Sequence, residues 1–116
     1  MFIAVVALSV LLALLMAASA APKLIDSHSA QRNRLHLKLS RELSRAIGAA
    51  EVAATAGFLI GLRWRPLTTI TAAAVVLLMI GAITYHIRAR DSVAAMLPAG
   101  STLSASAALI AVSVLA

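Results

Sequence analysis

The chain has 116 residues, 62% hydrophobic and 3% aromatic, with a mean hydropathy of +1.00, a formal net charge of +6 and no cysteine. Soluble globular domains are about 45–50% apolar, so a water-soluble core of this size would carry a greasy surface, whereas an Ala, Leu, Val and Ile excess suits helices packed in lipid. The missing thiols exclude disulfides, thiolate metal sites, Cys-ligated clusters and a cysteine nucleophile from this chain, so any redox chemistry needs a borrowed cofactor.

The first apolar run, Phe2 to Ala21, has no charge and, at about 20 residues, is long enough for a hydrocarbon core of roughly 30 Å. Lys23 stands at its boundary. Ala18-Ser19-Ala20 before Ala21-Pro22 also fits a signal-peptidase site, but no Lys or Arg precedes the run. A retained span is therefore favoured over a cleaved signal, which stays open as the alternative.

Between the first two runs, Pro22 to Ala46 is the one long polar stretch. Within it, Gln31 to Arg45 is amphipathic: Leu35, Leu39 and Leu43 share one helical face, and Arg34, Lys38, Arg41 and Arg45 line another. That pattern predicts a helix in the headgroup plane, with the four cations on anionic lipid. The alternation Leu35-His36-Leu37-Lys38-Leu39 fits a short strand as well.

Ile47 to Leu62 is the second span, closed by Arg63-Trp64-Arg65-Pro66, residues suited to the headgroup level and to the first turn of a following helix. Leu67 to Tyr85 is the third, followed by His86, Arg88, Arg90 and Asp91. Its Thr68, Thr69, Thr71 and Thr84 can return their hydroxyls to carbonyls one turn earlier. Ala99 to Ala116 is the fourth and shortest.

The expected fold is all-α: an integral membrane four-helix bundle, one domain over residues 1–116, with an interfacial amphipathic segment between helices 1 and 2. Eight of the ten Lys and Arg fall in the loops after spans one and three, leaving Arg63 and Arg65 on the other side. The excess of cations on one side predicts both termini outside. Because the basic residues lie in loops between apolar runs, orientation and lipid contact explain them, and nucleic acid is not an expected partner.

Glu51 lies one turn inside the second apolar run. A carboxyl at membrane depth costs several kcal/mol and is a functional-site candidate by default. The topology brings Lys23, Glu51, Tyr85, His86 and Arg88 to one membrane face, so Glu51 is either neutral or paired with Lys23, Arg88 or a protonated His86. A structural ion pair is the plainer reading of this cluster, and a ligand or proton site the other. No catalytic residue is assigned. His28, His36 and His86 lack a ligand-pair spacing and a second nearby carboxylate, so no metal site is expected.

Ala49, Ala53, Gly57 and Gly61 recur every four residues, and Gly57 and Gly61 form a GxxxG pair. This stripe is expected to pack helices closely, within the bundle or in a homo-oligomer, with Glu51 and Thr55 on the opposite face.

Ile47-Gly48-Ala49-Ala50-Glu51, Gly57-Phe58-Leu59-Ile60-Gly61-Leu62, Arg65-Pro66-Leu67 and Gly81-Ala82 through His86-Ile87-Arg88 follow in order, after Pro22-Lys23-Leu24. In this order and spacing the chain resembles the DoxX-like family of small four-helix membrane proteins. The resemblance implies four spans, argues against cleavage at Ala20, and carries over Glu51, His86 and Arg88 as family positions. It further implies an accessory membrane subunit near redox or quinone chemistry. Quinone is then the candidate cofactor, none is held covalently by this chain, and a soluble or membrane redox partner supplies electrons. A structural or assembly protein of a larger membrane complex is the alternative.

Overall fold

Residues 2–115, which the computed structural model describes, form α1 (Phe2–Ile25), α2 (His28–His36), α3 (Arg41–Ile60), α4 (Arg65–Arg88) and α5 (Val93–Leu115), with no strand among them. Four of these, α1, α3, α4 and α5, are long and apolar enough to cross a membrane. An unpaired backbone N–H or C=O in hydrocarbon costs several kcal/mol, so apolar runs of this length close their hydrogen bonds internally as helices. The long axis of the molecule is 41 Å, close to a bilayer of about 40–45 Å with its headgroups. The chain is a small, all-helical, multi-pass membrane protein.

The helices begin or end outside the apolar segments that define them, although α3 stops at Ile60, two residues before the second run closes. Although Pro22 lies inside α1, the helix continues to Ile25, so Lys23 stays on a helical turn and Ala18-Ser19-Ala20 sits within a packed helix, with Ala20 buried. α5 begins at Val93 rather than Ala99, with Ser92 Oγ accepting from Ala95 N at 3.3 Å and Pro98 inside the helix. α3 begins at Arg41, where Ser40 Oγ accepts from Leu43 N at 3.0 Å, a side-chain cap that satisfies one of the orphan amides of the first turn.

That cap divides the expected amphipathic helix. α2 ends at His36, Lys38 takes a left-handed φ of 59°, and Arg41 and Arg45 belong to α3. The expected leucine face is accordingly broken up: Leu35 is on α2, Leu39 in the break and Leu43 on α3, with Leu35 and Leu43 exposed, and the buried leucine of the stretch is Leu37. Arg34 and Arg41 instead converge on Asp26, at 3.1 and 3.4 Å, pinning α2 to the start of α3. Lys38 and Arg45 are exposed, where headgroups are within reach.

α1 packs on α3, α3 on α4, α4 on α5, and α5 back on α1, with the α1–α3 and α4–α5 seams the most extensive. Each long helix contributes a fully enclosed side chain to the centre: Leu12, Phe58, Val75 and Leu109. Ser9 and Ser106, on α1 and α5, are also fully buried, and their hydroxyls have no hydrogen-bond partner among the described residues.

The small-residue stripe on α3 is placed differently from the four-residue pattern. Gly57 and Gly61 are buried, whereas Ala49 and Ala53 are exposed. Four residues advance about 400° around a helix, so each repeat drifts roughly 40° and a stripe of four members leaves the contact face. The buried positions are Ser44, Gly48, Glu51, Ala54, Gly57 and Phe58, set mostly three residues apart and not four, and Glu51 lies among them rather than opposite. Gly48 admits α1: a Cβ there would stand 3.1 Å from Lys23 Cβ. Gly57 and Gly61 admit α4, whose Thr71 and Thr68 occupy the space a Cβ would need. Of the expected threonine bonds, Thr84 Oγ1 does return to Ile80 O, but Thr68 Oγ1 donates to Gly61 O at 2.9 Å, satisfying a carbonyl at the end of α3.

Candidate functional site

Glu51 is 2% exposed and sits halfway along α3. Its Oε1 accepts from Lys23 Nζ at 2.7 Å. The same ammonium donates to Ser19 Oγ at 2.6 Å and to Ser19 O at 3.3 Å, one turn back on α1. An ammonium has three N–H donors, and here each has an acceptor. The ammonium is thus matched by one opposite charge and two dipoles, and it supplies the counter-charge that a carboxylate at this depth requires. Arg88 and His86, the other cations considered for Glu51, are engaged elsewhere.

A cavity of about 670 Å³ opens beside this pair, with Ser19, Lys23, Glu51, Tyr85 and His86 at its polar part and Leu15, Met16, Leu78, Met79 and Ala99 among its apolar walls. It draws on α1, α3, α4 and α5, and Leu37 and Leu39, in the break after α2, also line it. Four of the five clustered residues expected from topology therefore share one cavity. Arg88 does not line it: its guanidinium lies 5.4 Å from the Tyr85 ring centroid, within cation–π range, and its side chain faces outward.

A second polar group holds the same end of the molecule. His86 Nδ1 lies 2.6 Å from Asp91 Oδ2, and His36 Nε2 lies 2.5 Å from Asp91 Oδ1, so one carboxylate clasps α2 to the α4–α5 turn. The hydrogen bond from His86, then that from His36, holds the Asp91 carboxyl below its ordinary value of 3.8. A carboxyl lowered on folding stabilises the fold above its unfolded pKa, and that contribution disappears as pH falls through the lowered value. Asp91→Asn should speed hydrogen exchange in α2 at neutral pH. The difference from wild type should close only in strong acid, below about 3.8; a difference already gone at pH 5 would contradict the clasp.

Asp91, His36, Ser19 and Asp26 were not among the expected site residues. Ser19 and Asp26 carried a local signal, one helical turn before Lys23 and eight residues before Arg34. The His36–Asp91 contact joins residues far apart in the chain and had none. Among the described residues, no group of three or more His, Asp or Glu is arranged to hold a metal ion.

No curated protein and no solved structure matches the chain. Residues 7–113 match the DoxX-like family. That stretch takes in most or all of each of the four membrane-length helices, the Lys23–Glu51 pair and the cavity lining, and the chain belongs to the DoxX-like family.

Proposed function

We propose that this protein is an accessory membrane subunit for redox or quinone chemistry, non-catalytic alone, with the cavity beside Glu51 as the place where a quinone head is held. The observation that supports this reading is the cavity itself: about 670 Å³ of mostly apolar wall with charged and polar groups gathered in one part. Small-molecule sites typically span roughly 300–1,000 Å³ and have this division. When bound, a quinone supplies two-electron, two-proton chemistry. The chain's own residues have other tasks: Leu15, Met16, Leu78 and Met79 keep water from the tail, and Lys23 fixes the Glu51 carboxylate. His86 is oriented by Asp91, so that a neutral ring keeps its Nε2 lone pair free. Electrons come from a soluble or membrane partner.

The basic-residue asymmetry supports an orientation with the polar cluster cytoplasmic and both termini outside. Gly81 gives a clean test of the cavity. It lines the space, and a Cβ there meets no atom within 4 Å, so the Gly81→Phe ring starts in open space at the cavity wall and its rotamer over the cavity obstructs it without disturbing a packed seam. Binding of a decyl-substituted benzoquinone, in either redox state, should weaken at least about tenfold while unfolding is unchanged. Binding of neither form to wild type, or equal binding to Gly81→Phe, would refute the reading.

One observation favours a second reading, a structural or assembly protein: the Lys23–Glu51 pair joins α1 to α3 at 2.7 Å. On that reading Glu51→Gln lowers abundance or partner recovery, and Gly81→Phe changes nothing.

A further inference from the structure

We infer that the cavity selects a head group that donates a hydrogen bond, and so holds the hydroxyl-bearing, reduced form of a quinone in preference to the carbonyl form. This rests on the reading that the cavity takes such a head, and deepens it by assigning which redox state is kept.

At the polar part of the cavity, acceptors are left over and the charged donor is spent. Lys23 has no donor to spare: its ammonium is committed to Glu51 Oε1, Ser19 Oγ and Ser19 O. Glu51 Oε1 is taken by Lys23, while Oε2 accepts no hydrogen bond from any described residue, on a side chain that is 2% exposed and lines the cavity. An ionised carboxylate can only accept. His86 is the second polar group, and with Nδ1–H directed at Asp91 its remaining nitrogen is an acceptor in the neutral ring. Tyr85 contributes a hydroxyl of either sense, Ser19 a hydroxyl already accepting from Lys23, and the Asn33 amide belongs to an exposed position on α2.

The charged atom at the head position that no described residue engages is thus an acceptor. A phenolic O–H can donate to Glu51 Oε2, forming the short, charge-assisted kind of bond. A carbonyl oxygen at the same place sets acceptor against acceptor. Once the ring has displaced water, it leaves the carboxylate oxygen buried without a partner, a loss worth on the order of tenfold in affinity.

Three probes of one skeleton separate the possibilities: decyl-hydroquinone kept reduced under argon, the matching decyl-benzoquinone, and the dimethyl ether of the hydroquinone, which keeps the ring and oxygens but cannot donate. Equilibrium binding to the detergent-purified chain should rank the hydroquinone roughly tenfold tighter than both others. Glu51→Gln should abolish that preference or invert it toward the carbonyl form, because Lys23 holds the amide oxygen and leaves the NH2, a donor, facing the head. If that variant does not fold, the wild-type ratios alone decide. Equal binding of the three probes, or tighter binding of the quinone, overturns the selectivity while leaving the cavity as a quinone site. Binding of none overturns both.

Discussion

Glu51→Ala is expected to lower the unfolding free energy of the detergent-solubilised chain by about 3 kcal/mol, the low end of the range for breaking a buried ion pair by removing one partner. The low end applies because Lys23 keeps its two bonds to Ser19 and its side chain is still 21% exposed. What destabilises the variant is the ammonium left without its counter-charge at the α1–α3 seam, rather than the bond alone. Replacing both partners with apolar groups of similar volume, Lys23→Met with Glu51→Leu, removes that penalty and should recover most of the loss. Denaturant titrations of the two variants and wild type measure both effects. A loss below about 1 kcal/mol for Glu51→Ala would mean that the pair behaves as an exposed bridge. A double variant as weak as the single one would mean that Glu51 has a structural partner beyond Lys23.

The second large effect is steric. In Gly61→Ala the new methyl would overlap Thr68 Oγ1 and stand 3.0 Å from Thr68 N and 2.9 Å from Gly57 O. Backbone on both sides cannot move aside, so α4 must lift off α3, at a cost of about 1–3 kcal/mol for overpacking. Gly57→Ala meets only side-chain atoms of Thr71 at close range. Adding Thr71→Ala should therefore rescue Gly57→Ala, whereas Thr68→Ala should rescue Gly61→Ala only in part. Gly81→Ala, where the methyl meets nothing, should be neutral or gain up to about 1 kcal/mol from helix propensity. Thermal unfolding of the set in one detergent ranks them, and equal losses at Gly61 and Gly81 would contradict the close approach of α3 and α4.

The four spans were legible because an apolar run near 20 residues has one economical structure in lipid, and all or nearly all of each run's described residues lie in one long helix. The helix ends were not. Apolar content marks where hydrocarbon begins, while caps decide where the helix begins, and Ser40 and Ser92 start α3 and α5 outside the apolar runs. The amphipathic pattern of Gln31 to Arg45 was real as a periodicity, but Lys38 and Ser40 interrupt it. Alternation of leucine and arginine carries no information about a backbone break.

At the site, Lys23 and Glu51 could be brought together from topology alone, because the end of the first span and the start of the second must share a face. Their geometry could not: the stripe of Ala49, Ala53, Gly57 and Gly61 suggested a packed face opposite Glu51, and helical drift puts Glu51 on the packed side instead. Arg88 illustrates the same limit, since a residue two positions from His86 points away from the cavity and stacks on Tyr85. The clasp through Asp91 depends on where α2 docks, which no local pattern encodes.

The absence of cysteine makes the central claim, four crossings with the polar cluster gathered at one face, directly measurable with single-cysteine reporters and a membrane-impermeant maleimide. Ser29 on α2 and Ser92 before α5 are exposed on the cluster side, and Leu62 is exposed in the α3–α4 turn. In intact cells Leu62→Cys should label at once, and Ser29→Cys and Ser92→Cys only after permeabilisation. Labelling of Ser29→Cys and Ser92→Cys from opposite sides of the membrane would contradict it.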